Sequence, residues 1–448
     1  MSATRTELIL AHADRRVPRY TSYPTAPHFS PSVTQEAYRR WLGEIEAGTP
    51  VSLYVHVPFC RTMCWYCGCN TKATQRSEPL ESYLDTLEME LQLLGGALPE
   101  GLALQHLHWG GGSPSLVRAA RFGGIMQRIR RMFDVRADAE LALEVDPRYL
   151  SDELIAALAE TGINRASMGV QTFDDDVQRA INRIQPFEQV ADAFRRLRAA
   201  GIEGVNADLL YGLPRQTVAS VLDTADRLLE LSPDRVSVFG YAHVPHMKTH
   251  QRMISDDELP DAVQRLAQAD AIAGRLEAAG YRAIGFDHFA RADDPMAVAL
   301  EEGRLKRNFQ GYTTDEAPVL LGVGASAIGS LPQGYVQNDA ATGNWRREII
   351  DGRFATARGV ALTPDDRMRR EIIERLMCDM EVDVAAVAAA HRLPAPKVDL
   401  SALEVDGIVR RDGGRIRVAG DFRSLSRIVA AAFDTRLDLG GARHAVAV

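Results

Sequence analysis

The stretch "YVHVPFCRTMCWYCGCN", Tyr54–Asn70, contains four of the five cysteines of the chain within ten residues. Cys60, Cys64 and Cys67 have the spacing C-x3-C-x2-C, and Cys69 follows after one further residue. Disulfide frameworks of secreted proteins join distant segments, whereas close thiols in a reducing compartment usually indicate a metal site. This stretch therefore predicts a metal centre near the start of the chain.

Two kinds of metal site are compatible with clustered cysteines. A four-cysteine zinc site usually draws on two C-x2-C pairs separated by a longer loop, and this stretch offers no second pair. A cubane [4Fe–4S] cluster fits better, because thiolates are its preferred ligands and a compact loop can wrap one face of it. Three thiolates would leave one iron open, which is typical of a catalytic metal site. Cys378, alone in "ERLMCDMEVD", is interpreted as a small buried apolar residue.

Around this loop the chain alternates between predicted strands and predicted helices. The predicted strands are 52–57, 104–109, 141–145, 165–171, 205–212, 235–241 and 281–289. Helical spacing covers 80–95, 118–133, 151–161, 186–200, 216–231 and 257–279. Six or seven such repeats favour a barrel, full or partial, over a flat sheet. The predicted fold class is α/β, a partial (β/α)6 TIM-like barrel, in which ligands gather at the carboxyl ends of the strands.

Two further regions flank the predicted barrel, which spans 51–345. Residues 1–50 contain "VPRYTSYPTAPHF", a poor helix and a poor strand, and are predicted to form an extended N-terminal arm. Residues 346–448 are predicted to form a small, mainly helical C-terminal domain. Within it, "DGIVRRDGGRIRVAG" predicts a β-wing, a hairpin that turns at "DGG".

Composition excludes several classes of protein. Hydrophobic residues make up 46% of the 448 residues and charged residues 25%, which is typical of a folded soluble protein. The formal net charge of −8 argues against a nucleic-acid binder, although a small anionic substrate needs only a few basic groups in one pocket. No apolar run reaches the roughly 18 residues that span a bilayer, and "LILA" is too short for a signal peptide. We expect a cytoplasmic protein, and a monomer.

The cysteine loop, with Tyr66 before its last ligand, resembles that of the radical S-adenosylmethionine (SAM) superfamily, and other motifs narrow the resemblance. They are "PRYTSYPTA" at 18–26, "LHWGGGSPS" at 107–115, "EVDPR" at 144–148, "SMGVQ" at 167–171, "DLLYGLP" at 208–214, "DHFAR" at 287–291, "RNFQGYTT" at 307–314 and "AFDTRL" at 432–437. Together they resemble the oxygen-independent coproporphyrinogen III oxidase (dehydrogenase) family over roughly residues 18 to 440. The arm and the position of Cys69 make this resemblance specific.

The resemblance implies a SAM-dependent oxidoreductase of porphyrin and haem biosynthesis. Such enzymes convert two propionates of coproporphyrinogen III into vinyl groups, which gives protoporphyrinogen IX and carbon dioxide. The implied cofactors are one [4Fe–4S] cluster and SAM, with a second SAM molecule beside the first. The implied partners are the substrate, a low-potential electron donor and an electron acceptor. In such enzymes the cofactor carries the radical chemistry, while the protein orients the reacting atoms.

The resemblance also implies roles for individual residues. Cys60, Cys64 and Cys67 would bind the cluster, and Cys69 and Tyr54 would act in catalysis. The implied cofactor-binding residues are Tyr54, Tyr66, Gly111, Gly112, Ser113, Glu144, Gln171, Arg183, Asp208, Ala242, Gln310 and Ile328. Glycine would let the backbone approach SAM, although a tight turn would explain the same residues. The basic candidates for contacting substrate carboxylates are Arg19, Lys248, Arg252 and Arg307.

Three alternatives to this function remain open. One is another radical SAM enzyme acting on a tetrapyrrole, such as one that opens the haem ring with methyl transfer. A second is a haem chaperone, a related branch that lacks the extended arm and the extra cysteine. A third is an electron-transfer iron–sulfur protein, which would leave the glycine turn and the polar strand ends unexplained.

Overall fold

The computed structural model describes residues 4–13 and 15–437. The first ten strands are β1 (Pro50–Val57), β2 (Phe59–Cys60), β3 (Lys72–Ala73), β4 (Ala103–Gly111), β5 (Asp134–Val145), β6 (Arg165–Gln171), β7 (Gly204–Tyr211), β8 (Arg235–Gly240), β9 (Arg282–Ile284) and β10 (His288–Ala290). The others are β11 (Lys306–Asn308), β12 (Gly311–Thr313), β13 (Val319–Val323), β14 (Ile328–Leu331), β15 (Gly334–Asn338), β16 (Thr356–Ala361), β17 (Glu381–Asp383), β18 (Val409–Asp412) and β19 (Arg415–Val418).

The helices fall largely between these strands. Up to the end of the parallel sheet they are α1 (Arg5–Ala13), α2 (Gln35–Gly43), α3 (Glu78–Gly95), α4 (Ala119–Met132), α5 (Asp152–Glu160), α6 (Asp175–Ala180), α7 (Phe187–Ala199), α8 (Val218–Glu230) and α9 (Ala262–Ala278). The later ones are α10 (Pro295–Glu301), α11 (Thr342–Ile350), α12 (Pro364–Cys378), α13 (Val384–Ala390), α14 (Ser401–Val405) and α15 (Ser426–Ala431). None of the described helices is long and apolar enough to cross a membrane.

Six parallel strands form the centre of the fold. β1, β4, β5, β6, β7 and β8 lie side by side in chain order, and helices connect each to the next. This order is that of a (β/α) barrel, because a doubly wound sheet reverses direction at a switch point. The sheet continues to β16 at one edge and β9 at the other, so the barrel is partial. The α/β fold class predicted from the sequence is confirmed.

The strands are buried on both faces, as in other parallel sheets covered by helices. Val51, Leu53, Val55 and Val57 of β1 are each at most 1% exposed and belong to the main apolar core. β13 pairs in parallel with the other side of β1 and is followed by the antiparallel strands β14 to β16. This packing holds the carboxyl end of β1, and the cysteine loop that follows it, in a fixed position.

Residues 281–289, predicted to form a single strand, form a hairpin. The structure divides this segment into β9 and β10, which pair antiparallel with each other, and β10 also pairs antiparallel with β8. Gly285 between them has φ of +56°, a left-handed conformation that favours glycine. The chain therefore reverses at this point, and the segment adds a hairpin to the sheet where a seventh parallel strand was expected.

The N-terminal arm is partly helical. α1 and α2 lie within residues 1–50, while the segment between Val17 and Thr25 has no helix or strand, as expected. Ile9, Val17, Tyr20 and Tyr23 pack in one apolar cluster with residues of α12 and α15. The arm is thus anchored to the C-terminal region by a shared core.

The C-terminal region consists of α12 to α15 and a small sheet in the order β17-β19-β18. The hairpin of β18 and β19 turns at Gly413 and Gly414, as "DGG" predicts. The boundary proposed between 345 and 346 lies inside α11, and β16 beyond it still pairs with β15 of the large sheet. Residues 438–448 of the proposed C-terminal domain lie outside the described residues, as do residues 1–3 and 14 of the arm.

Candidate active site

The cysteine loop connects β1 to α3 at the carboxyl edge of the parallel sheet. Short parallel pairing of β2 with β3 closes the loop at its base, where the amide of Thr74 donates a hydrogen bond to the carbonyl of Cys60 at 2.9 Å. Further along, the amide of Trp65 donates to the carbonyl of Ile181 at 2.9 Å. The loop is therefore tied both to its own strand and to the segment that follows α6.

The segment after β8 holds the opposite side of the loop. Gln251 donates through Nε2 to the carbonyl of Tyr66 at 3.0 Å, and Nε2 of His250 lies 2.7 Å from the carbonyl of Cys67. Both carbonyls belong to the stretch that bears the last two cysteines. Because main-chain groups are anchored on both sides, the thiols have defined positions.

Polar groups surround the first two sulfurs. The hydroxyl of Ser113 donates to Sγ of Cys60 at 3.5 Å. Arg183 and Arg148 point guanidinium nitrogens at Sγ of Cys64, at 3.6 and 3.8 Å. Hydrogen-bond donors therefore lie beside both sulfurs, and such donors stabilise the negative charge of a metal-bound sulfur.

Cys67 and Cys69 differ in acidity. A hydrogen bond from the Cys69 thiol lowers the pKa of Cys67 to about 6. The same hydrogen bond raises the pKa of Cys69 well above its usual value. The ammonium of Lys248 donates to the carbonyl of Cys69 at 2.9 Å, so this side chain is directed at the cysteine loop. The hydrogen bond between the two cysteines therefore favours the thiolate at Cys67 and the protonated thiol at Cys69.

The glycine turn after β4 lies against the cysteine loop. Gly111 has φ of +117°, and its amide donates to Oε2 of Glu144 at 2.9 Å. A Cβ atom added to Gly112 would lie 2.6 Å from the carbonyl oxygen of Phe59, closer than any ordinary contact. Both residues must be glycine for the main chain to take this path, so the turn is needed whether or not it also contacts a cofactor.

Glu144 and Tyr54 belong to a polar network on the inward face of β1, β4 and β5, the first three strands of the parallel sheet. His108 lies 3.2 Å from Oε1 of Glu144, and its ring stacks on that of Tyr54. Tyr54 bonds in turn to Nδ1 of His56 at 2.9 Å. Burial by itself raises the pKa of Glu144, but the hydrogen bond and charge of His108, the amide of Gly111 and the charge of His56 together outweigh it, so the pKa is lowered and the carboxylate is charged. His108 was not predicted as a site residue. The signal that could have indicated it is a polar side chain within a predicted strand.

A cavity of about 240 Å³ inside the partial barrel brings four predicted residues together. They are Tyr54, Glu144, Asp208 and Gln310. Burial raises the pKa of Asp208 to about 6, even though a hydrogen bond with Ser237 lowers it. These residues come from four separate segments of the chain.

A larger cavity of about 680 Å³ lies beyond the end of β8, between α9, the arm and the C-terminal region. Ala242 lines it, and His288 borders both this cavity and the smaller one. Of the four basic residues suggested for substrate carboxylates, only Arg19 lines this cavity. Arg307 is buried with its guanidinium 4.3 Å from the centre of the Tyr312 ring.

The other predicted residues are more scattered. Gln171 ends β6 with φ of +68°. A Cβ atom added to Gly169 would lie only 2.5 Å from Nε2 of Gln171. Tyr66 packs in an apolar cluster with residues of α6. Ile328 lies on β14, packs beside Phe29 and lines neither cavity.

Comparison with known proteins adds an independent observation. Residues 54–228 match the family model of the Radical SAM superfamily. An oxygen-independent coproporphyrinogen III oxidase of Bradyrhizobium diazoefficiens is 53% identical over 449 residues, which cover 99% of this chain and all of the relative. The chain belongs to the oxygen-independent coproporphyrinogen III oxidase family. The family member of Escherichia coli K12 is 41% identical over 94% of this chain and 93% of its own length.

A solved structure supports the same assignment. The coproporphyrinogen III oxidase of Escherichia coli, described as a radical SAM enzyme, superposes with a TM-score of 0.89 at 38% identity. The match covers 94% of this chain and all of that one. As a member of this family the chain is a radical SAM oxidoreductase whose cofactors are a [4Fe–4S] cluster and SAM.

The residues present fit these cofactors. No three His, Cys, Asp or Glu side chains among residues 4–13 and 15–437 converge on a single metal ion. A cubane does not need such convergence, since each thiolate would bind a different iron. The buried Nε of Arg183 has no hydrogen-bond partner within the described part of the chain, so the site can accept one more polar ligand atom there.

Proposed function

We propose that this chain converts two propionate side chains of coproporphyrinogen III into vinyl groups, giving protoporphyrinogen IX in oxygen-independent haem biosynthesis. One observation gives this proposal its main support. The thiols of the cysteine loop lie at the same edge of the sheet as a cavity of about 680 Å³ that several arginines line. A cavity of this size and charge suits a large substrate with several carboxylates.

Cys60, Cys64 and Cys67 are the proposed cluster ligands. When bound, the cluster and SAM together supply the one-electron chemistry that removes a hydrogen atom from the substrate. The chain's own contribution is to hold the thiols in place. Ser113 and Arg183 contact the first two sulfurs, at 3.5 and 3.6 Å.

The proposed SAM-binding residues include those of the glycine turn and of the smaller cavity, together with several that lie elsewhere. The set is Tyr54, Tyr66, Gly111, Gly112, Ser113, Glu144, Gln171, Arg183, Asp208, Ala242, Gln310 and Ile328. Glu144 is supported best, because its charged carboxylate is oriented by the amide of Gly111. Asp208 and Gln310 face the same cavity. Ile328 has the weakest support, since it lies away from both cavities.

Cys69 is proposed to hold a proton near the reacting atoms, and Tyr54 to line the site beside it. The raised pKa of the Cys69 thiol supports this role, because a protonated thiol can donate a proton or a hydrogen atom. Further proposals are a cytoplasmic location, a monomeric state, and reaction with a low-potential electron donor and an electron acceptor. All five cysteines are free thiols, as a reducing compartment requires.

The test is an anaerobic incubation of reconstituted enzyme with SAM, a low-potential reductant and coproporphyrinogen III. We expect 5′-deoxyadenosine and carbon dioxide to form together with a vinyl-bearing porphyrinogen. The Cys64→Ser variant should lose all three products and bind less iron, whereas Cys378→Ala, outside the cysteine loop and in the lining of neither cavity, should keep them. Stable haem binding without decarboxylation would contradict the proposal and favour a haem chaperone.

A further inference from the structure

Among residues 4–13 and 15–437, arginines outnumber acidic residues in the lining of the large cavity. The arginines are Arg5, Arg16, Arg19, Arg265, Arg423 and Arg427. The acidic residues are Asp270, Glu277, Asp287 and Asp421. Two of these are already paired, Asp270 with Arg5 at 2.6 Å and Asp287 with His288 at 2.7 Å. The described lining is therefore mainly basic.

Three of the arginines come from widely separated parts of the chain. Arg19 belongs to the arm, Arg265 to α9 and Arg423 to the segment before α15. None of the three forms an ion pair with a carboxylate of residues 4–13 or 15–437. We refer to Arg19, Arg265 and Arg423 as the arginine cluster.

The contacts that these side chains do make are weak or directed at neutral groups. Arg19 lies 3.4 Å from the carbonyl of Gly240. Arg265 lies with its guanidinium carbon 5.6 Å from the centre of the Tyr211 ring. Arg423 donates through two nitrogens to the carbonyl of Gly285, with Nε at 3.0 Å. Guanidinium groups have five N–H donors each, so most of their hydrogen-bonding capacity is left for a ligand.

Mutual repulsion among the cations also favours an anion in this cavity. Burial lowers the pKa of Arg265, and the charge of Arg19 lowers it further. Burial and the charge of Arg19 lower the pKa of Arg427 to about 10. The fold thus holds like charges close together, and a carboxylate placed between them would relieve the repulsion.

We propose that the arginine cluster binds the propionate carboxylates of the substrate that do not react in a given round, and so orients the macrocycle. This inference rests on the proposed function. Ala242 and His288 also line this cavity, and His288 borders the smaller cavity together with Glu144 and Asp208. Propionates held at the cluster would leave another propionate free to reach the side of the cavity at His288. The planar guanidinium suits this role, because it can bind a carboxylate through two parallel hydrogen bonds.

The test is a binding titration of the holoenzyme under anaerobic conditions with coproporphyrin III, the stable oxidised analogue, and with its uncharged tetramethyl ester. For Arg265→Gln and Arg19→Gln we expect the Kd of coproporphyrin III to rise by about 10- to 100-fold each. The Kd of the ester and that of SAM should stay the same. Arg275→Gln is the matched control, because this residue lies on the same helix, pairs with Asp226 and does not line the cavity.

A kinetic measurement adds a second readout. With coproporphyrinogen III we expect KM to rise in the cluster variants, and more 5′-deoxyadenosine to form for each vinyl group produced, because a poorly oriented propionate reacts less efficiently. Arg265→Lys should recover only part of the affinity, since it keeps the charge but loses the planar fork.

The proposal is overturned if Arg265→Gln and Arg275→Gln bind coproporphyrin III equally, or if the ester loses as much affinity as the free acid. Arg19 is exposed, so Arg19→Gln decides the question even if a change at Arg265 impairs folding. The titration needs no turnover. Charge-dependent binding without decarboxylation would therefore contradict the proposed function alone, and decarboxylation with unchanged binding would contradict the arginine cluster alone.

Discussion

Replacing Gly112 with alanine tests whether the glycine turn and the cysteine loop act as one unit. The added Cβ would lie 2.6 Å from the carbonyl oxygen of Phe59 and 2.8 Å from its amide nitrogen. Ordinary contacts begin at 3.4 Å, so the main chain must move by about 0.8 Å, the difference between 3.4 and 2.6 Å. The obstacle is backbone, which cannot rotate away as the end of a flexible side chain can.

This movement would reach both sides of the site. The amides of Gly112 and Ser113 donate to the carbonyls of Val57 and Phe59, each at 2.8 Å, and both bonds would be stretched. Weakening a buried hydrogen bond costs about 1–3 kcal/mol, and a displacement of about 1 Å near reacting groups can cost about 10²-fold in rate. We expect Gly112→Ala to lower kcat/KM by about 10²-fold and to weaken SAM binding.

The measurements are iron content after reconstitution, SAM affinity and kcat/KM of the purified variant. Gly124→Ala in α4 is the control, because no atom lies within 4 Å of its Cβ position and alanine in a helix stabilises by about 0.5–1 kcal/mol. If Gly112→Ala binds SAM and turns over like the parent, the packing of the turn against Phe59 does not shape the site, and the reasoning is refuted.

Three further predictions follow from buried carboxyl groups. Burial raises the pKa of Glu90 from 4.5 to about 7. Because the folded-state pKa exceeds the unfolded value, the free energy of unfolding should fall as pH rises from about 5 to 8. Urea unfolding of the Glu90→Gln variant should no longer show this pH dependence. The pKa of Asp208 is about 6, so SAM affinity should increase between pH 5 and 7 if its carboxylate binds SAM, and Asp208→Asn should give a flat titration. Asp294 forms an ion pair with Arg235 at 2.8 Å in a buried ion cluster. Asp294→Ala should therefore reduce the free energy of unfolding by about 3–5 kcal/mol. The control Asp293→Ala, at an exposed neighbouring residue, should change the free energy of unfolding by less than about 0.5 kcal/mol.

Much of the central fold was predictable because its signals are local. The six strands of the parallel sheet lie where apolar and β-branched runs predict them, and their order follows from the strand and helix alternation. The hairpin at Gly285 was not predicted, because 281–289 was interpreted as a single strand although its glycine was an available turn signal. The helix α1 in the arm was also missed, since its stability depends on the packing of Ile9 against the distant C-terminal helices.

Some parts of the candidate site were also predictable from the sequence, and others were not. The cysteine spacing, the glycine turn and Glu144 lie in short contiguous motifs, and these motifs carried the family resemblance. The hydrogen bond between His108 and Glu144 was not foreseen, although both residues lie within predicted strands. Lys248 was a candidate for substrate carboxylates, yet its position beside the carbonyl of Cys69 emerges only when the segment after β8 packs against the loop.

The amino-acid sequence alone determined the family, the cluster chemistry and the α/β class of this protein, because spacing, periodicity and contiguous motifs are properties of short windows. Only the tertiary structure decided that Arg19, Arg265 and Arg423 share one cavity. These residues lie in separate elements, and although a motif of the arm made Arg19 a candidate, nothing in the local sequence distinguishes Arg265 and Arg423 from other arginines. Their common position depends on how the arm, α9 and the C-terminal region pack together, which is a property of the folded chain as a whole.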